Sequence, residues 1–376
     1  MALGSVSVIA ANQQQGEVTA IEKYFLFVGI GPEHVGELVF LNAQSDLDAE
    51  LGSASSQLKT QVAAAQLNGG ENWACIAAPI AESTDWDAAV DLGTGYAKGV
   101  EAVVDCRVIN GNANRLTQSQ NKADALLAAT GRRIFFMIAA AAINNDAEDG
   151  QSWSDYITDT AAIVTNAVAP RVMIVPLIFP DALGILAGRL CRADVSIADS
   201  PMRVATGTIL GRSSADLPVD MDGVTYSNAH ALALNNARLT VPQVYADQAG
   251  VYWSDGQMLD VEGGDFQVVE NLRVVDKAAR RVRLILISMV ADRRLNSSPE
   301  SIAWATTRLS APLRAMAKSY VFQGIPFVAD IEPPQEGDIA IQWVSRTEVR
   351  IYMVVRPFES PKTITAYIVL DLSAPA

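Results

Sequence analysis

The stretch GIGPEHVG, residues 29–36, is the first place where residue types and spacing hint at chemistry. It follows an apolar run and carries Gly29-x-Gly31, the opening of a fingerprint in which glycines let a pyrophosphate approach a helix N-terminus. The spacing to Gly36 departs from that pattern, and Pro32 interrupts it. The residues that follow, Leu38 to Leu41, read as a strand and not as a helix. A phosphate site of this kind would lack its anion-binding helix, so a plain turn is expected.

Other reactive residue types are sparse. His34 and His230 are the only histidines, and neither has a Cys or His partner nearby in sequence. His34 reads as a loop residue and His230 as one on a helix face. Cys75, Cys106 and Cys191 lie far apart, each in or beside an apolar run. Buried free thiols in a reducing compartment are the reading. The acidic groups Asp146/Glu148/Asp149 and Asp220/Asp222 have oxygens suited to a hard cation. The sequence DMDG at 220–223 lacks the rest of a calcium loop, so solvated loop carboxylates are expected. No GxSxG, P-loop, HExxH or CxxC motif occurs. Enzymatic activity has no positive support, and no catalytic residue, cofactor or metal is expected.

The chain has 376 residues, half of them hydrophobic and 19% charged, enough for a sizeable core and for two or three domains. No charge-free apolar stretch is long enough for a membrane span, and the N-terminus lacks the basic and apolar regions of a signal peptide. The net charge of −14 is uneven: residues 1–250 carry −13 and residues 251–376 carry −1. An acidic body disfavours general nucleic-acid binding. The asymmetry points to two regions with different neighbours.

The elements that must position these residues follow an α/β rhythm. Residues 24–30, 37–41, 73–80, 100–109, 132–141 and 171–179 read as strands, most of them continuously apolar. Helical patterns occupy 46–70, 117–130, 152–168 and 181–192. Such alternation implies a largely parallel sheet covered on both faces. Residues 195–265 are irregular, and a domain change is placed near Gly250. Beyond it, an apolar stripe predicts a helix over 265–291. Ser298 as N-cap, Pro299 and Glu300 open a second helix to about Val321, with a kink expected at Pro312. Residues 339–345 and 348–357 form a hairpin pattern.

On the second helix, taking Arg308 as zero, Ile302, Ala305, Leu309, Leu313, Met316 and Tyr320 fall between about 60° and 140°. Arg308, Arg314 and Lys318 fall largely opposite, as a basic ridge that could face an acidic surface or simply solvent. Arg280, Arg281, Arg283, Arg293 and Arg294 could instead pair with the acidic body of a neighbour. The last stretch, PKTITAYIVLDLSAPA (361–376), alternates from Thr363 to Leu372, the sign of a strand with one apolar face. It either closes the protein's own sheet or belongs in another chain's.

Residues 36–80, GELVFLNAQSDLDAELGSASSQLKTQVAAAQLNGGENWACIAAPI, resemble the early part of contractile-tail sheath proteins of bacteriophages and R-type bacteriocins. The features are Ser45, Asp48, Leu51 and Gly52 at a helix start, the Asn68-Gly69-Gly70 stop, and the strand from Trp73 to Ile80. Residues 265–283 and 292–309 look like that family's inner domain, and the order helix, helix, hairpin, final strand is similar. The likeness spans roughly 1–80 and 250–376.

The resemblance implies an N-terminal arm (1–22), an outer α/β domain (23–250), an α+β inner domain with two long helices and a β-hairpin (251–358), and a C-terminal strand arm (359–376). It also implies donated strands, with Val6 and Val8 in one arm and Ile364, Ile368 and Leu370 in the other, adding to sheets of adjacent subunits. The expected partners are further copies of the chain, a tail tube facing Arg308, Arg314 and Lys318, and baseplate and terminator proteins. The expected location is a virion tail assembled in the bacterial cytoplasm. Two rival readings are an α/β nucleotide-binding enzyme with a C-terminal oligomerisation domain and a non-contractile virion protein.

Overall fold

The computed structural model describes residues 21–96, 99–111, 114–212, 216–322 and 324–368. Six strands, β1 (Phe25–Ile30), β2 (Val39–Asn42), β3 (Ala74–Ile80), β4 (Ala102–Ile109), β5 (Phe135–Ala140) and β6 (Val172–Pro176), form one sheet in the order β2-β3-β1-β4-β5-β6. All neighbours are parallel except β2, which runs antiparallel to β3. Every residue of β5 and β6 is buried, so both faces of the sheet need cover. β2 alternates buried and exposed residues, as suits an edge. The result is a mixed α/β fold around a largely parallel sheet.

Cover comes from α1 (Leu47–Leu51), α2 (Gln57–Gly69), α3 (Trp86–Tyr96), α4 (Asn114–Thr130), α5 (Trp153–Val164) and α6 (Ala182–Cys191). The single helix expected over 46–70 is two. Gly52 takes a positive φ of 88° after α1, and Ser56 caps α2 anew by accepting from the Lys59 N–H at 3.1 Å. Helices α2 and α6 touch backbone to backbone. A Cβ on Gly184 would overlap the Gln61 carbonyl, and the fully buried Gln61 side chain bonds both Pro180 O (2.8 Å) and Gly184 N (2.6 Å).

The irregular region holds α7 (Asn228–Asn236) and a hairpin of β7 (Pro242–Tyr245) and β8 (Gln248–Trp253). Gly250, near which the sequence places a domain change, lies inside β8. Two long helices follow, α8 (Val269–Met289) and α9 (Pro299–Met316), then the short hairpin β9 (Tyr320–Phe322) and β10 (Ile325–Phe327) and the hairpin β11 (Ile339–Trp343) and β12 (Val349–Met353). Helix α9 starts as its sequence predicts, with Ser298 accepting from Ser301 N. It passes through Pro312 but stops at Met316, five residues earlier than expected, because the chain turns into β9.

Val269 and Leu272 join the main core; further along, α8 packs on α9 and on β11–β12 through Val282, Leu309, Ile341 and Ile351. Two buried ion pairs tie α8 to the sheet. Arg273 bonds both oxygens of Glu101 at 2.8 and 2.9 Å, and Arg171 bonds both oxygens of Asp276 at 2.9 Å. Three of the arginines considered for a neighbour's acidic body are used at home, Arg294 among them through Asp292 at 2.7 Å. Arg280 pairs with Glu22 at 2.8 Å, and Arg283 donates to Thr130 O at 3.0 Å. Among the described residues no helix is long and apolar enough to cross a membrane.

Candidate assembly surfaces

The residues with chemical potential are occupied structurally. Gly29 sits in β1, where a Cβ would stand 2.8 Å from Cys106 Cβ in β4 and 3.2 Å from Leu58 Cβ in α2, so close packing of sheet and helix accounts for it. Gly31 N and Gly36 N donate to Ile80 O (3.2 Å) and Pro79 O (3.0 Å), making the segment a turn that leads back into β2. Near the carboxyl ends of the central strands, where open α/β sheets bind ligands, one polar cluster converges. Asp105, fully buried, accepts from Arg107 (2.9 and 2.8 Å) and Arg115 (2.7 Å), and Arg107 also lies over the Trp86 ring. Asp105 is thus fully engaged by its own chain, while Arg115 Nε is left buried without a hydrogen-bond partner.

His34 contacts Glu37 at 3.1 Å on the surface. His230 lies on α7, stacked 5.0 Å from Trp153, and its Nδ1 accepts from Ser227 N. Burial lowers its pKa, against the pull of Asp220. Asp220 is not solvated as expected; it is buried and accepts from the N–H groups of Trp153, Val224 and Asp222. Burial pushes its pKa up, and those N–H groups outweigh that and hold it below the usual value. Asp146 accepts from Glu148 N and Asp149 N within an exposed loop. Among the described residues no group of three or more His, Cys, Asp or Glu side chains could hold a metal ion. The three cysteines are buried and free, and burial pushes their thiol pKa values up.

The apolar stripe of α9 is inside: Ala305, Leu309, Leu313 and Met316 are buried. Arg308, Arg314 and Lys318 are all exposed, but they diverge. Arg308 turns toward α8, over the Trp304 ring at 5.5 Å and within 3.4 Å of Ser288 Oγ. Arg314 folds back on its own helix, donating to Ser310 Oγ (2.6 Å) and Thr307 O (3.2 Å). Lys318 lies two residues past the helix end. Arg294 approaches the same Trp304 ring at 5.3 Å, so two guanidinium groups share one indole. Sequence reasoning missed that cluster, although Trp304 and Arg308, four residues apart on one helix, were a legible signal.

Val6, Val8 and Leu370 lie outside the described residues. Ile364 and Ile368 lie in a segment, 363–368, that pairs with no strand among the described residues. They are 82% and 96% exposed, and Tyr367 between them is 89% exposed. The sheets β9–β10 and β11–β12 each have only two strands, so each strand keeps one edge without a ladder partner among the described residues.

Taken whole, the fold matches solved contractile sheaths. The chain superposes on the sheath of an extracellular contractile injection system, the PVC sheath complex in its contracted state, with a TM-score of 0.60 at 12% identity, covering 99% of each chain. It superposes on the contracted helical sheath of the anti-feeding prophage with a TM-score of 0.59 at 14% identity, again over 99% of each chain. Identities this low show the fold. In sequence, residues 3–257 match the DUF2586 N-terminal domain and residues 265–373 the DUF2586 C-terminal domain. A protein of Haemophilus phage HP1 named "Putative tail sheath protein" is 42% identical over 371 residues, 98% of both chains. The class defined is the tail sheath protein of a contractile injection system. Within it, this chain belongs to the DUF2586 family of tail sheath proteins.

Proposed function

We propose that the chain is a structural, non-enzymatic subunit that polymerises helically around a tail tube and shortens to drive that tube through a host envelope. The observation that carries this reading is the exposed terminal segment 363–368. Three large hydrophobic side chains stand almost fully in water on backbone without a sheet partner among the described residues. Exposed apolar segments of this kind fit strand addition to another chain's sheet edge, and the unpaired edges of β9–β10 and β11–β12 are available acceptors. About four backbone hydrogen bonds contribute on the order of 2–6 kcal/mol per arm. That is modest for one joint and large for a lattice of many.

In this reading the N-terminal arm with Val6 and Val8 makes the corresponding joint on another neighbour. Heterologous contacts that do not close generate a helical tube. The arms keep neighbours connected while rigid bodies turn and slide. Energy is stored at assembly behind a kinetic barrier, with no nucleotide consumed. Arg308, Arg314 and Lys318 face the tube, baseplate and terminator proteins hold the ends, and the particle is a virion tail assembled in the bacterial cytoplasm.

The test is negative-stain electron microscopy of the purified protein at high concentration, with and without residues 363–376. Hollow ridged cylinders from the full chain, and folded dispersed subunits from the truncated one, are expected. Cylinders from both would overturn the donated-arm reading, and small particles from both would remove the sheath reading.

A further inference from the structure

Between Phe358 and Ile368 every residue is exposed except Lys362. Its Nζ lies 2.5 Å from Asp255 Oδ1 and 2.8 Å from Glu270 Oε1. Neither acid is a surface group. Their side chains are 13% and 6% exposed, and Glu270 Oε2 is buried with no hydrogen-bond partner. Asp255 is held in place by Ser200 Oγ and Gln257, and Glu270 by its position in the first turn of α8. A buried and a half-buried carboxylate side by side are costly unless a cation sits between them or one takes up a proton. Burial pushes the Glu270 pKa up, against the pull of Lys362, with Asp255 adding to the rise. For Lys362 burial acts against the charge, and the two carboxylates outweigh it and raise its pKa.

The previous attachment of the chain is at residues 356–357. There Arg356 bonds both oxygens of Asp338 at 2.6 and 2.7 Å, and Pro357 bridges to Ile331. From that point to Lys362 no described residue is buried. Lys362 is therefore a second, separate attachment, placed immediately before the exposed segment that begins at Thr363.

We infer that Asp255 and Glu270 form a cation socket that grips Lys362 and fixes where the C-terminal arm leaves its own subunit. Lys362 is a positioning residue: it makes no contact for the arm but decides the arm's root. With the socket closed, the arm starts at Thr363. With it open, the root retreats to Pro357 and the arm gains five residues, about 17 Å at extended-chain spacing. The socket thus sets the reach of the joint to the next subunit. This inference deepens the proposed function and rests on that reading for its biological meaning, whereas the socket itself can be tested on the single subunit.

Trypsin must take a lysine side chain out of its surroundings to cut after it. Cleavage of the 362–363 bond in the folded protein therefore reads the socket directly, as release of the peptide 363–376 by mass spectrometry. Asp255→Asn with Glu270→Gln is expected to speed that cleavage by about ten-fold or more, the factor that follows from losing a charge-assisted hydrogen bond. Cleavage elsewhere and the circular-dichroism melt serve as controls for folding. Should that variant fail to fold, brief acetylation of the wild-type chain replaces it: Lys362 should react at least several-fold more slowly than the exposed Lys318. Equal cleavage rates in both proteins, or equal acetylation of the two lysines, would overturn the socket. Deletion of 363–376 tests the donated arm separately, so a socket can stand where the arm reading fails, and the reverse.

Discussion

Arg273 of α8 and Glu101, at the entry to β4, form a two-pronged ion pair between side chains that are 1% and 2% exposed, and Arg273 also donates to Leu190 O at 3.1 Å. One pair thus joins the sheet, the end of α6 and the long helix. Burial acts against the Arg273 charge, and Glu101 outweighs it and raises the arginine's pKa.

Removing one partner strands a buried charge. Glu101→Gln or Arg273→Met alone should destabilise the subunit by about 3–5 kcal/mol in urea unfolding, whereas replacing both with apolar residues should restore most of the loss. A double variant as unstable as the singles would mean that Leu190 and the neighbouring packing, and not the pair, carry the effect.

The contact of α2 with α6 predicts intolerance of size. Gly184→Ala places a methyl group against the Gln61 carbonyl and should cost about 1–3 kcal/mol by overpacking. Gly36→Ala is a useful comparison, since a Cβ there meets nothing within 4 Å and only the φ of 78° opposes it. An unchanged melting temperature for Gly184→Ala would show that the helices can slide apart freely.

Asp220 predicts an acid-sensitive knot. Its folded pKa is lowered, so its contribution is present above the ordinary carboxylate value of 3.8 and is lost as pH falls through the folded pKa. Asp220→Asn should lower the melting temperature at pH 7, with the gap to wild type closing in more acid solution. A gap that stays constant down to pH 2 would assign the effect to shape and not to charge.

The basic side chains of α9 give an assembly prediction. Arg308→Glu, Arg314→Glu and Lys318→Glu together should lower the melt only slightly, because all three are exposed and lose only surface contacts, yet abolish decoration of preformed tail tubes seen by electron microscopy. Normal decoration would move the tube contact elsewhere, and the Arg294–Trp304 cluster would be the next surface to alter.

Much of the sheet was legible because strands buried on both faces must be continuously apolar, as FFMIAA and VMIVP are. Helix α3 was not. Its sequence WDAAVDLGTGY holds two glycines and is not among the helical patterns expected, yet Gly93 is where the helix crosses Leu26, whose side chain fills the place of a Cβ. Tertiary packing overrode propensity there. Ion pairs such as Arg273–Glu101, 172 residues apart, leave no periodic trace. The same holds for Lys362. The alternation that marked the terminal stretch starts one residue later, and nothing local to Asp255 or Glu270 announces a third partner. The basic face of α9 was read from helix angles, but those angles say nothing of the rotamers that send Arg308 and Arg314 in different directions.

The buried cysteines carry a last consequence. Cys75, Cys106 and Cys191 are at most 4% exposed, and their thiols resist ionisation. Such sulfurs react slowly with oxidants or with one another. Passage from reducing to oxidising surroundings would leave this chain without a new covalent link or a lost one. The ageing of a particle built from it would then be governed by packing and water, not by sulfur chemistry.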